Sequence, residues 1–184
     1  METKGTSVLA AINYVKKYHG EDGYERFLEA LEPESREILT HRILPSAWYP
    51  LRPAFIEPIR VTCDQFYHGS EEGARQLGRH AADEGLTGLY KVFVRFGSVE
   101  FLVKRASKIF PTYYRPSAME TVDLKKGAGT VRITQFDDPD HFLEISILGW
   151  MERAIEISGC YTGKVAMTCS LAKGASCTEF DITW

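Results

Sequence analysis

The sequence predicts an α+β fold, with a helical amino-terminal half packed on a four-stranded antiparallel sheet. Two hairpins make the sheet, and a long helix lies between them. Three observations point there. Up to about residue 114 apolar side chains recur at helical spacing. Two later segments alternate with period two around Lys-Gly turns, and one long apolar helical stripe separates them.

The elements follow in order. Ser7 to Tyr18 places Val8, Leu9, Ile12 and Val15 on one helical side, and His19-Gly20 closes it. Tyr24 to Leu31 carries Phe27, Leu28 and Leu31. Pro33 suits the first turn of a helix over Glu34 to Leu39. Leu44 to Pro53, with Pro45, Trp48, Tyr49 and Pro50, reads as a turn into a helix near Leu51 to Tyr67. Pro58 inside that span implies a kink or two shorter helices. Ser70 followed by Glu71 and Glu72 is an N-cap with acids in the first turn, opening a helix through Ala82. Leu89, Phe93 and Phe96 fit another helix. Phe101, Leu102, Arg105 and Ile109 fit one more, capped by Ser98 and ended by Pro111.

Glu120, Val122 and Leu124 then alternate, Lys126-Gly127 turns the chain, and Val131 and Ile133 return it. Asp138-Pro139 starts the long helix. Leu143, Ile147, Trp150, Met151 and Ala154 form its stripe, which Phe142, Ile145 and Leu148 widen, and Ser158-Gly159 stops it. The last hairpin alternates through Val165, Met167, Cys169 and Leu171, turns at Lys173-Gly174, and returns through Thr178, Phe180, Ile182 and Trp184. A two-residue loop there sets Val165 opposite Ile182, Met167 opposite Phe180 and Cys169 opposite Thr178, pairing apolar with apolar. No stretch rich in Gly, Ser or Pro divides the chain, so a single domain is expected over 1–184: helices over about 5–114, then sheet and long helix over about 117–184.

Composition narrows function. A formal net charge of -3 gives no bulk electrostatic case for nucleic acid. No apolar run approaches the ~20 residues of a membrane span, and no secretory leader is evident, so a cytoplasmic protein is expected. Cys63, Cys160, Cys169 and Cys177 do not make a disulfide framework and read as free thiols. There is no Gly-x-Ser-x-Gly elbow, phosphate-binding loop or paired-histidine motif, so no enzyme is expected. Glu71-Glu72 and Asp137-Asp138 read as helix-start acids, because adjacent positions do not face one another on a helix.

Leu148-Gly149-Trp150, Ser158-Gly159 and the run from Cys169 through Gly174, Cys177 and Phe180 to Trp184 resemble the vinyl-reductase-type small-molecule-binding domain. That domain shares its fold with haem-NO-binding sensors and with TRAPP tethering-complex subunits. The chain looks most similar to bacterial members of this group. The resemblance implies an apolar cavity between helices and sheet, used in relatives for aromatic effectors, tetrapyrroles or acyl chains, or filled in assembly subunits. Some relatives hold zinc near the terminal hairpin. Cys169 and Cys177 match that spacing, but Ala166 stands where an acid is expected. The predicted register also puts the two thiols on opposite faces, so no metal is expected. Haem-binding relatives carry an axial histidine on a helix facing the pocket. Ser98 to Phe110 contains none, and His19, His41, His68, His80 and His141 read as helix ends or solvated positions, so no cofactor is expected.

The expected function is therefore a non-catalytic, small-molecule-binding or sensory domain, in which Phe93, Phe101, Phe110, Tyr114, Phe142 and Trp150 line the cavity. Expected partners are a small apolar ligand and a second copy of the chain. The alternative is an assembly module with a filled cavity, touching its partner through Trp48, Tyr49 and Phe55. Arg95, Lys104, Arg105 and Lys108 read as a solvated basic strip.

Overall fold

The computed structural model describes residues 1–86 and 98–184. The chain opens with a short strand β1 (Glu2–Lys4) and then a long helix α1 (Gly5–Ala30). Gly20, at φ 71 and ψ -177, breaks α1 into two helical segments, where the sequence placed a stop and a new start. Helix α2 (Pro33–Thr40) begins on its proline, and strand β2 (Trp48–Pro50) follows. Arg52–Ile56 forms a wide π-type turn that runs directly into α3 (Glu57–Tyr67). Pro58 sits in the first turn of α3, directly after the π-type turn, so its missing N–H falls where the bonding changes from the wide turn to the α-helix. Helix α4 (Glu72–Gly85) starts where the Ser70 hydroxyl accepts from the Glu72 N–H at 3.3 Å, and it extends three residues beyond the expected end.

Beyond the undescribed stretch, α5 (Val99–Ile109) is capped by Ser98, whose hydroxyl accepts from the Phe101 N–H. A tight turn through Pro111 leads to β3 (Tyr114–Arg115), then β4 (Ala118–Lys125) and β5 (Ala128–Gln135), joined at Lys126 and Gly127. Gly127 has φ 80, as a turn of this kind demands. Helix α6 (His141–Ile157) is capped by Asp140, not Asp138. The Asp140 carboxylate accepts from the Phe142 and Leu143 N–H groups and also pairs with Arg60, while Asp138 pairs with Arg52. Strands β6 (Lys164–Cys169) and β7 (Thr178–Thr183) end the fold.

The architecture is α+β with a four-stranded antiparallel sheet in the order β4-β5-β7-β6, so the two hairpins pair through β5 and β7. A second, three-stranded sheet in the order β2-β1-β3 was not foreseen. Its strands are two or three residues long, too short for alternation to register, and Trp48–Pro50 carries turn residues.

The last hairpin keeps the expected pairs Val165 with Ile182 and Met167 with Phe180, but then departs from expectation. A bulge after Met167 sets Cys169 opposite Glu179, not Thr178, and the loop is longer than two residues. Leu171–Lys173 makes a helical turn, and Gly174 closes it at φ 88. The buried Glu144 of α6 sits against the departure. Its carboxylate accepts from the Ser170 and Thr178 hydroxyls and from the Ala172 N–H at 3.3 Å, which fixes the loop against the helix.

The inner face of the sheet buries Val131, Ile133, Val165, Phe180 and Ile182 under α5 and α6, and α4 packs on α6 from outside. Two glycines allow that second contact. A Cβ on Gly78 would lie 1.9 Å from the Ser146 carbonyl oxygen, and one on Gly149 would lie 2.2 Å from that of Arg75. The α4 and α6 backbones therefore touch reciprocally. Arg75 and Arg79 pair with Glu152 and Glu156 along the exposed seam, and Arg153 pairs with Asp83.

Candidate functional site

Small residues at the helix crossings leave space where α1, α4, α5 and α6 meet the sheet. Ala10, Gly78, Ala81, Ala106 and Ala154 fill little of it, and a cavity of about 120 Å³ remains. Its aromatic wall is Phe55, Phe110, Tyr113, Tyr114 and Trp150. Its floor on the sheet is Met119, Val131 and Ile182. Gly85 and Val99 also line it, and among the described residues no charged side chain or histidine does. A volume of this order suits one ring: an apolar cavity of ~150 Å³ holds a single benzene.

Of the six residues expected to line such a cavity, Phe110, Tyr114 and Trp150 do so. Phe110 packs on Tyr114 with ring centroids 5.1 Å apart, and Trp150 meets Tyr113 edge-on at 6.1 Å. Phe101 lies outside the lining, half-buried beneath the Arg105 guanidinium at 4.3 Å. Phe142 also lies outside it, half-buried at the start of α6 beside His141, eight residues before Trp150 on the same helix. Phe93 falls outside the described residues. Val99, Leu102 and Val103 of α5 line the cavity in place of Phe101, one helical step away. The small residues were missed because nothing in their spacing marks a void.

The surface expected for an assembly module is largely occupied. Phe55 is 2% exposed and lines the cavity, because the π-type turn rotates it inward. Trp48 is held between Lys4 and Arg115, with cations 4.4 and 4.2 Å from the ring, and the Tyr49 hydroxyl accepts from the Leu44 N–H. In the expected basic strip, Lys104 pairs with Glu100. Cys63 is buried in α3, and burial pushes its thiol up to about 12.

His80 corrects the expectation of a solvated histidine: it is 4% exposed, under the Tyr14 and Tyr18 rings of α1. Burial holds its pKa below the ordinary value, with Lys17 adding to the effect and Glu84 and Asp83 opposing it. The unfolded chain takes up this proton more readily than the fold does. Stability is therefore full above the ordinary histidine value of 6.5 and falls as pH drops below it toward the lowered folded value. His19, stacked on Phe66 at 3.8 Å and also lowered by burial, acts with the same sign. Urea titrations should show midpoints that decline below about pH 6.5, with a shallower decline in His80→Gln. An identical decline in that variant would assign the acid sensitivity elsewhere.

No family model matches the chain, and no curated protein matches its sequence. Solved structures do match its fold. An H-NOX protein from S. oneidensis in the Fe(II)NO ligation state superposes with a TM-score of 0.74 at 12% identity, covering 97% of each chain. The unliganded Fe(II) H-NOX protein from K. algicida gives a TM-score of 0.70 at 12% identity, covering 98% of this chain and 95% of that one. The likeness supports the haem-NO-binding-like part of the expected kinship, as a likeness of fold.

The residues present do not fit a haem. None of the five histidines lines the cavity, no cysteine does, and 87–97 contains neither residue type. Tyr114 could ligate iron only as a phenolate, and burial pushes its pKa up, against that form. No lysine or arginine among the described lining residues could meet a propionate, and the space is small for a macrocycle.

Proposed function

We propose that this chain is a non-catalytic binding or sensory domain that takes a small apolar ligand into the cavity between its helices and its sheet. The observation that carries the reading is the apolar space of about 120 Å³ walled by Phe110, Tyr114 and Trp150, with no charged side chain among the described lining residues. Apolar pockets with few polar groups are the usual form of small-molecule sites. The H-NOX neighbours lend support at the level of fold, one of them being described in an Fe(II)NO ligation state and the other as an unliganded Fe(II) protein. Here the same scaffold would hold a smaller guest without iron. The carboxyl-terminal run from Cys169 to Trp184 supports a vinyl-reductase-type kinship within that scaffold.

Thermal unfolding with a panel of ring compounds and fatty acids tests it. A ligand at a hundred times its Kd stabilises by about 2.7 kcal/mol. Benzene-sized ring compounds are expected to raise the midpoint and long-chain fatty acids to leave it unchanged. Ala106→Leu, which extends a side chain into the space from α5, should abolish the rise. Midpoints unmoved by every ring compound would end the proposal.

A further inference from the structure

The polar atoms bordering the cavity carry the argument further, on the premise that the cavity binds a ligand. Ser7 of α1, Tyr114 of β3 and Ser146 of α6 all line it, and they are 6%, 8% and 4% exposed. Among the described residues no side-chain hydrogen bond uses any of the three hydroxyls, and none of them belongs to the fully enclosed polar atoms without a partner, which lie on Thr3, His19, His80 and His141, so all three oxygens are open to the space. This is uncommon for each of them. A serine or threonine in a helix or at its end ordinarily donates to a carbonyl one turn back, as the Ser158 hydroxyl just past α6 does to Ile155 and the Thr62 hydroxyl to Pro58. A buried phenol ordinarily finds an acceptor, as Tyr14 and Tyr67 find each other. A hydroxyl that faces a void without a protein partner keeps its donor and its acceptor lone pairs for whatever enters the void. Three unpaired hydroxyls around one void mark a place where a bound molecule supplies what the protein lacks.

All three groups are neutral and all three can donate. Burial holds the Tyr114 phenol in its protonated, donating form. With no charged side chain among the described lining residues, an ionised ligand would lose its hydration without compensation. We propose that the cavity selects an uncharged, single-ring ligand bearing a carbonyl group, whose oxygen accepts hydrogen bonds from one or two of the hydroxyls of Ser7, Tyr114 and Ser146. A carbonyl oxygen has two lone pairs and no proton to place, so it fits a set of donors better than a hydrocarbon edge does.

Cyclohexanone and methylenecyclohexane have nearly the same shape and differ in the oxygen. Their dissociation constants, measured by ligand-observed NMR on the whole chain, separate the two ideas. The triple variant Ser7→Ala, Tyr114→Phe, Ser146→Ala should weaken the ketone by about tenfold relative to the olefin, following from roughly one hydrogen bond lost or more. The three single variants then assign the donors. Because the deleted hydroxyls have no protein partner, the triple variant should unfold no more easily than the parent, and thermal unfolding checks this. A ketone-to-olefin ratio unchanged by the triple variant overturns the carbonyl inference while leaving the cavity reading intact. Failure of both probes to bind the parent overturns both.

Discussion

Gly78→Ala should destabilise the protein by about 3 kcal/mol, and Gly149→Ala by a similar amount. The sign is the informative part. On an exposed helix face the same replacement stabilises by about 1 kcal/mol, because alanine is the better helix former. Here the added methyl on Gly78 would sit 1.9 Å from the Ser146 carbonyl oxygen, well inside van der Waals contact. Backbone on both sides means that no flexible side chain can turn away, so α4 and α6 must separate. Separation also lengthens the ion pairs of Arg75 and Arg79 with Glu152 and Glu156. Gly78 and Ser146 both border the cavity, so the shift should change ligand binding as well as stability. Urea denaturation measures the effect as a lower midpoint at constant slope. A variant within about 0.5 kcal/mol of the parent would show that the helices part without cost.

That contact illustrates what a sequence conceals. The layers were legible because burial imposes periodicity. Val8, Ile12 and Val15 announce α1, and Phe180 and Ile182 announce the central strand β7. Gly20, Ser98 and Gly159 mark element ends through local backbone chemistry that needs no partner. Features that depend on a distant partner were hidden. Gly78 and Gly149 lie 71 positions apart, and no local pattern marks them as a contact until the two backbones meet. His80 looked solvated because its own helix has polar neighbours, whereas Tyr14 and Tyr18 of α1 supply the burial. The site was half legible for the same reason. Aromatic density pointed to Phe110, Tyr114 and Trp150. It also pointed to Phe101 and Phe142, which sit on the right elements but outside the lining. A cavity is defined by the side chains that fail to fill it, and alanine and glycine leave no pattern of their own.

Glu144→Ala should cost about 3 kcal/mol, in the range for removing one member of a buried charged network. Glu144 is 4% exposed, and its carboxylate gathers three donors from the loop and the start of β7: the Ser170 and Thr178 hydroxyls and the Ala172 N–H. It lies in the first turns of α6, where the helix dipole favours a negative charge, and His141 Nδ1 is 3.8 Å away. Alanine removes the acceptor and leaves those donors buried, at ~1–3 kcal/mol for an unsatisfied group. The damage should be local as well as global. Without the carboxylate, the turn at Leu171–Lys173 loses its tie to α6, and the hairpin is free to shorten toward the two-residue loop its alternation alone would choose. Glu144→Gln keeps one acceptor oxygen but presents an NH2 to the remaining donors, so its cost should be intermediate. Chemical denaturation gives the ranking, and amide exchange at Ala172 reports the loop directly. Faster exchange there, in proportion to the lost stability, is the expected result. If Ala172 stays fully protected in Glu144→Ala, the loop is held by its own Ser170 hydroxyl, which already accepts from the Lys173 N–H at 3.1 Å, and the buried acid is not its anchor.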